Sequence, residues 1–218
     1  MSLSKLRALR FFPNKHRIRQ GLACWRERLQ GLDFSMPDRM YDRGRNDGAM
    51  YLATPKDTLT EAFECVDIGK YPRILDIGCG KGYVLWQAKK YGFKKIGGVE
   101  YDEKLCKICR RNMERLQIAQ DVTVTYTDAR EFGNYGMYDV FYFFNPFMEE
   151  VMAAVIDRIV NQCRGREIMI IYYRPRYASR IENIGYFEKI CTFDSTIKGY
   201  QANVYRGSIP EDLPENAE

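Results

Sequence analysis

The chain has 218 residues, 45% hydrophobic and 29% charged content, and a formal net charge of +5. That size and balance predict one globular domain with appendages and exclude disordered, collagen-like and disulfide-scaffold classes. The longest apolar runs, such as Val140 to Phe144 and Ile168 to Tyr173, are far too short to span a bilayer, and no signal-peptide core follows the basic N-terminus. The expectation is a cytoplasmic protein with no membrane span.

Charge is placed unevenly. Residues 1–35 are net +6, and residues 208–218 are net −4. Residues 1–40 read as a basic helical arm or cap. Leu3, Leu6, Leu9 and Phe12 make one stripe, Pro13 breaks it, and Ile18, Leu22, Trp25 and Leu29 make a second that Gly31 closes. Packing of these apolar residues on the domain is favoured over recognition of an anionic partner. The acidic tail after Gly207 is expected to be disordered.

Residues 41–207 carry the domain. A polar loop from Tyr41 to Gly48 leads to Thr54-Pro55, which predicts an N-cap and first helical position, with Leu59, Ala62, Phe63 and Val66 on the apolar side. The most informative stretch follows, Arg73-Ile-Leu-Asp-Ile-Gly-Cys-Gly-Lys-Gly-Tyr83. It predicts a buried strand, a turn with glycines at 78, 80 and 82, and a helix opening near Lys81. Such a turn lets backbone approach a ligand and aims free N–H groups at it. The spacing G-x-G-x-G is not the dinucleotide fingerprint, whose third glycine is replaced here by the bulky Tyr83. Nor does Lys81 have the spacing of a phosphate-cradling loop.

Beyond it, strands and helices alternate. Lys95 to Glu100 predicts strand two, and Asp102 caps a helix whose Leu105, Ile108, Cys109, Met113 and Leu116 face inward. Val122 to Tyr126 predicts strand three. Tyr138 to Phe144 predicts a strand buried on both faces, and a helix from Met148 to Cys163 and a strand from Glu167 to Tyr173 follow. Two last strands, Phe187 to Phe193 and Tyr200 to Tyr205, have no room for a crossover helix and should pair antiparallel. The fold class is therefore α/β, a doubly wound, mostly parallel sheet with helices on both faces.

The seven cysteines form no even framework, and Cys106-x-x-Cys109 sits on a helical pattern without a second pair. They read as reduced, buried or half-buried thiols. With a single histidine, His16, neither a metal site nor a Cys–His pair is expected.

In an open α/β sheet the ligand lies at the carboxyl ends of the strands. Asp76 lies in strand one, Glu100 ends strand two, Asp128 and Ala129 follow strand three, and Asn145-Pro146-Phe147 follows strand four. A carboxylate at Glu100 can accept both hydroxyls of a ribose.

Leu75-Asp-Ile-Gly-Cys-Gly-Lys-Gly82, Gly98-Val-Glu100, Asp128-Ala129 and Asn145-Pro146-Phe147 together resemble the motifs of class I methyltransferases that use S-adenosylmethionine (SAM), in particular a small bacterial type. The resemblance covers roughly residues 41–206. It implies the seven-stranded, Rossmann-like sheet in which the last strand inserts antiparallel beside the fifth, with SAM as cofactor. It also implies a cofactor site of Asp76, Gly78, Cys79, Gly80, Gly82, Glu100, Tyr101, Asp128, Ala129 and Asn145, the adenine lying at Asp128 and Ala129. Asn145, Pro146 and Phe147 become the catalytic candidates, and Tyr41, Asp42 and Tyr51 contact cofactor or substrate.

Asn-Pro-Phe is similar in part to the Asn-Pro-Pro-Tyr/Phe signature of enzymes that methylate amide or amino nitrogens, so a nitrogen acceptor is favoured, without identifying it. An O- or carbon-directed methyltransferase and a non-catalytic SAM-binding module are the alternatives. An NAD-dependent oxidoreductase is disfavoured by Tyr83 and by the missing second nucleotide-binding half.

Overall fold

A computed structural model of the chain describes residues 25–34, 53–144 and 147–213. The strands are β1 (Arg73–Ile77), β2 (Lys95–Glu100), β3 (Val122–Tyr126), β4 (Val140–Phe144), β5 (Glu167–Tyr173), β6 (Phe187–Asp194) and β7 (Gln201–Ser208). The helices are α1 (Lys56–Glu64), α2 (Tyr83–Tyr91), α3 (Glu103–Arg115), α4 (Glu149–Gln162) and the short α5 (Ser179–Glu182). All seven strands join one sheet in the order β3-β2-β1-β4-β5-β7-β6. The first five are parallel, and β7 lies antiparallel to both β5 and β6. The expected sheet, with its antiparallel insertion beside strand five, is what forms. The order reverses between β1 and β4, which places the ligand-binding crevice of such a sheet at the end of β1.

Two cores cover the two faces. Alternating residues of the central strands feed them in turn, Ile74, Tyr142 and Ile171 into the first and Leu75, Phe141 and Ile170 into the second. Leu59 and Phe63 of α1, Val84, Leu85 and Ala88 of α2, and Cys109 and Met113 of α3 complete the first. Val151, Val155 and Ile159 of α4, with Cys163 just beyond it, complete the second. These are the stripes that the apolar spacing predicts.

Four boundaries differ from the sequence expectations. Helix α1 starts at Lys56 after Pro55, without a side-chain cap, because the Thr54 hydroxyl instead bonds the Tyr142 hydroxyl at 2.6 Å. Helix α2 starts at Tyr83 because Gly82, at φ 84°, is left-handed and cannot belong to a right-handed helix. At the N-terminal end Trp25 and Leu29 are 60% and 68% exposed, and it is Leu32 and Phe34 that enter the core. At the C-terminal end Ile209 is buried and Leu213 packs on the second core, so the folded chain runs beyond residue 207. Residues 1–24 and 35–40 of the basic arm and 214–218 of the tail lie outside the described residues.

The amino ends of the central strands are locked by Asp139. Its carboxylate accepts from Arg73 Nε at 2.7 Å and from Arg166 Nη2 at 2.8 Å, and its backbone bonds Arg73 and Met169. One buried acid therefore ties β1, β4 and β5 into register. Arg73 and Arg166 are partly exposed and can be hydrated when unpaired, so losing the charged hydrogen bonds of Asp139 should cost about 1.5–3 kcal/mol. Asp139→Ala should lower the unfolding free energy, read from urea denaturation, by that order and the midpoint with it. A midpoint within experimental error of the parent would show that the network does not hold the register.

Candidate functional site

Strand β1 runs out at Ile77 into three left-handed glycines, Gly78, Gly80 and Gly82, at φ 83°, 52° and 84°. Side chains with a Cβ resist this region, which is why the turn needs glycine at these positions. At Gly82 there is also no room: a Cβ would stand 2.5 Å from Cys109 Sγ. Gly78 and Cys79 donate their N–H groups to Val99 O at 2.8 and 3.0 Å, which folds the turn back across the end of β2.

Glu100 completes that junction. It is 4% exposed, and its Oε2 accepts from Gly80 N at 2.8 Å while its Oε1 accepts from Tyr101 N and Asp102 N, each at 3.0 Å. One carboxylate thus fastens the glycine turn to the turn that opens α3. Burial pushes its pKa up, and the backbone N–H groups pull partly against that. Asp76 is 3% exposed, and its pKa is held well above the ordinary carboxyl range by burial first and by the charge of Glu100 second. Two buried acids at the adjoining carboxyl ends of β1 and β2 make a site in which a positively charged ligand group would favour their ionised forms.

The outer side of the turn is held by residues that sequence reasoning missed. Lys81, fully buried, places its Nζ 2.8 Å from Asp33 Oδ1. Asn112, also fully buried, donates through Nδ2 to Lys81 O and Asp33 O, each at 3.0 Å, and accepts from Asp33 N at 3.1 Å. The next residue, Phe34, stacks on Trp86 with ring centroids 5.3 Å apart and meets Tyr83 edge-on. Residues 32–34 are therefore part of the site's wall. Tyr83, read from the sequence as an obstacle to dinucleotide packing, is a docking surface for Phe34. A lysine between two glycines and an asparagine inside an apolar stripe were the visible signals; partner identities required the fold.

The remaining expected residues fall as follows. Cys79 is buried against Cys109, and the hydrogen bond between the thiols is the first cause of its raised pKa, burial the second. Tyr101 is half-buried beside Glu100. Asp128 lies two residues past β3, where it caps a short 3-10 turn (Ala129–Glu131) and accepts from Arg130 N at 2.9 Å and from its guanidinium at 2.6 Å. Thr127 N donates to Glu100 O at 3.0 Å, so the Asp128–Ala129 turn starts beside Glu100. Phe147 is half-buried against the second core ahead of α4. Asn145, Pro146, Tyr41, Asp42 and Tyr51 lie outside the described residues. Tyr142, which sequence reasoning did not single out, pairs in register with Asp76 across the β1–β4 junction.

Residues 74–165 match the family model described as a methyltransferase domain. A protein-L-isoaspartate O-methyltransferase of Thermotoga maritima is 35% identical over 96 residues, which cover 41% of this chain and 30% of that protein. A provisional protein N5-glutamine methyltransferase of Methanocaldococcus jannaschii is 28% identical over 133 residues, covering 57% of this chain and 65% of that protein. The chain thus spans less than two thirds of either relative. An RNA methyltransferase of Salinibacter ruber, solved in complex with S-adenosyl-L-homocysteine, superposes with a TM-score of 0.55 at 22% identity, covering 77% of this chain and 99% of that one. Residues 74–165 thus resemble a methyltransferase domain, and the sheet is the Rossmann-like fold of class I methyltransferases, so SAM is the cofactor against which the site is tested.

The residues present fit that cofactor. SAM carries a sulfonium and an ammonium, and Asp76 and Glu100, whose burial holds their protons more tightly in the free protein, would offer the complementary charge on ionising beside such a ligand, whereas a pyrophosphate would gain nothing from them. That charge also leaves a mark on the free protein. A carboxyl whose folded pKa is raised binds its proton more tightly when folded, so stability falls as pH rises from the unfolded value through the folded one. Removing the charge at Asp76 should reverse this. Asp76→Asn should raise the urea midpoint of the ligand-free protein near neutral pH and flatten its decline above the ordinary carboxyl range. A midpoint that drops at every pH would mean that Asp76 is held charged by favourable contacts.

Proposed function

We propose that this chain is a SAM-dependent methyltransferase acting on a nitrogen acceptor, with the glycine turn, Glu100 and Asp128–Ala129 as its cofactor site. The observation that carries the reading is the pair of buried acids at the carboxyl ends of β1 and β2, fixed around a left-handed glycine turn at the switch point of a methyltransferase sheet. Backbone groups of residues 78–82 and the Asp76 carboxylate would hold the methionine end. Glu100, with its Oε2 engaged by a single N–H, retains acceptor capacity for ribose hydroxyls. Ala129, buried and next in the chain to Asp128, would meet the adenine, with Asp128 and Tyr101 at its edge.

SAM, when bound, supplies an activated methyl group on a sulfonium, so no covalent work falls to the protein. What the chain contributes is alignment and a polar, water-poor surround. Asn145, with Pro146 and Phe147, follows β4, the strand that neighbours β1 across the switch point. An amide oxygen there can accept from an acceptor N–H and orient its lone pair, and it can also border the cofactor. A protonated amine has no lone pair, so the acceptor must be neutral or give up its proton. Tyr41, Asp42 and Tyr51 are proposed on the acceptor side. Cytoplasmic location is part of the same reading, and among the described residues no helix is long and apolar enough to cross a membrane.

Methyl-labelled SAM, incubated with the protein and fractionated cell extract, should deliver label to one fraction. No transfer to protein, nucleic acid or small molecules would favour a non-catalytic module, and label on oxygen or carbon the alternative chemistry. Glu100→Ala should weaken S-adenosylhomocysteine binding at least about tenfold, equivalent to about 1.4 kcal/mol. Asn145→Ala should leave that binding within a few-fold and lower transfer by about 10- to 100-fold. Unchanged affinity in the first variant, or lost affinity in the second, would overturn the assigned roles.

A further inference from the structure

The carboxyl rim beyond the cofactor site ends in a run of rings and cations. Phe144, last in β4, meets Tyr173, last in β5, edge-on at 4.5 Å between centroids. Tyr173 in turn lies 6.0 Å from Tyr200, which precedes β7, and the Arg174 guanidinium sits 4.7 Å over the Tyr200 ring. The base of this run is rigid. Tyr173 is 1% exposed, its hydroxyl lies 2.7 Å from Ser195 Oγ, and Ser195 Oγ also accepts from Thr58 of α1. Phe144 and Tyr200 are half-buried, and Arg174 is exposed.

Arg174 is held there by an unusual backbone. Its φ is 54°, in the left-handed region, although it is neither glycine nor asparagine and stands directly before Pro175. Arg174 N donates to Gln201 O at 2.7 Å, and Arg174 O accepts from Arg176 N at 2.8 Å, so the strained turn is fixed from both sides. A guanidinium meant only for solvent needs no such arrangement. Strain of this kind is retained where surrounding structure over-determines it, and it concentrates at functional rims.

Arg176, also exposed, lies 5.5 Å over Tyr177. Glu149 pairs with Arg180 and Glu182 with Lys189, and Asp194 stands exposed at the end of β6. Among the described residues neither Arg174 nor Arg176 forms an ion pair.

We propose that this rim recognises the acceptor as a nucleotide unit, with its base against the Phe144 ring or the outer plane of the Arg174 guanidinium and its phosphate on the N–H edges of Arg174 and Arg176. An exposed guanidinium lying over a tyrosine ring offers a planar cation with a fork of N–H donors, and that combination suits a planar base joined to an anion. The aromatic run leads from the end of β4, where the methyl acceptor is placed in the reading above, to the cationic rim. A nucleotide bound along it presents its base to the reaction centre. The inference rests on that methyl-transfer reading, and a free nucleotide and a nucleotide within a strand share the chemistry.

Fluorescence anisotropy of the full chain, saturated with S-adenosylhomocysteine, against a labelled 12-nucleotide single-stranded RNA of mixed sequence tests it, with AMP and UMP as competitors. Binding is expected at low salt. Arg174→Gln and Arg176→Gln should each weaken it about 5- to 20-fold and lower the salt slope by about one, while S-adenosylhomocysteine affinity stays within twofold. Displacement by mononucleotide at concentrations similar to the RNA's would identify a free nucleotide; displacement only in large excess, a strand.

If neither RNA nor mononucleotide binds, if the variants bind as the parent does, or if methyl label goes to protein alone, the inference is overturned. Should the parent fail to bind S-adenosylhomocysteine, the methyl-transfer reading fails first, and calorimetry in the same buffer separates the two.

Discussion

A backbone turn of three left-handed glycines has little intrinsic reason to hold one shape, and the site depends on what restrains it. Glu100 does so from within, accepting one N–H from the turn and two from the start of α3. From outside, Asn112 and the Lys81–Asp33 pair join the turn to α3 and to residues 32–34. The buried polar groups here are tied into hydrogen bonds, and a network of that kind specifies a geometry even where it adds little net stability. The turn is a junction of three chain segments, and the cofactor reading stands on that junction.

The same charges that suit a cationic ligand burden the free protein. Asp76 and Glu100 are both desolvated and both raised in pKa, Asp76 also by the charge of Glu100 and Glu100 also by that of Asp102. A fold selected for stability alone would replace Asp76 with an apolar residue, as its neighbours Leu75 and Ile77 are. At the far end of the sheet the buried acid is paired instead, where Asp139 draws Arg73 and Arg166 onto the amino ends of the central strands.

Much of the architecture was legible because its signals are local. Apolar alternation marked the strands, three- and four-residue spacing marked the inward faces of α1 to α4, and the short link between the last two runs required a hairpin. Gly78, Gly80 and Gly82 announced a turn, and their positive φ values are the physical content of that signal. What stayed hidden depends on distance along the chain. Asp33 and Lys81 are 48 residues apart, Asp33 and Asn112 79, and Thr54 and Tyr142 88, and no spacing rule connects them. The N-terminal stripe misled for a related reason. Trp25 and Leu29 have helical spacing, but the residues that dock are Leu32 and Phe34, chosen by the aromatic surface that Tyr83 and Trp86 present. Arg174 was invisible as well, since a positive φ before proline cannot be read from residue type.

The central claim is that the junction of β1 and β2 binds a sulfonium nucleoside and not a dinucleotide. Calorimetric titration of the full chain with SAM, S-adenosylhomocysteine and NAD tests it most directly. The account predicts saturable binding of the first two and none of NAD. Saturable binding of NAD without binding of SAM would contradict it.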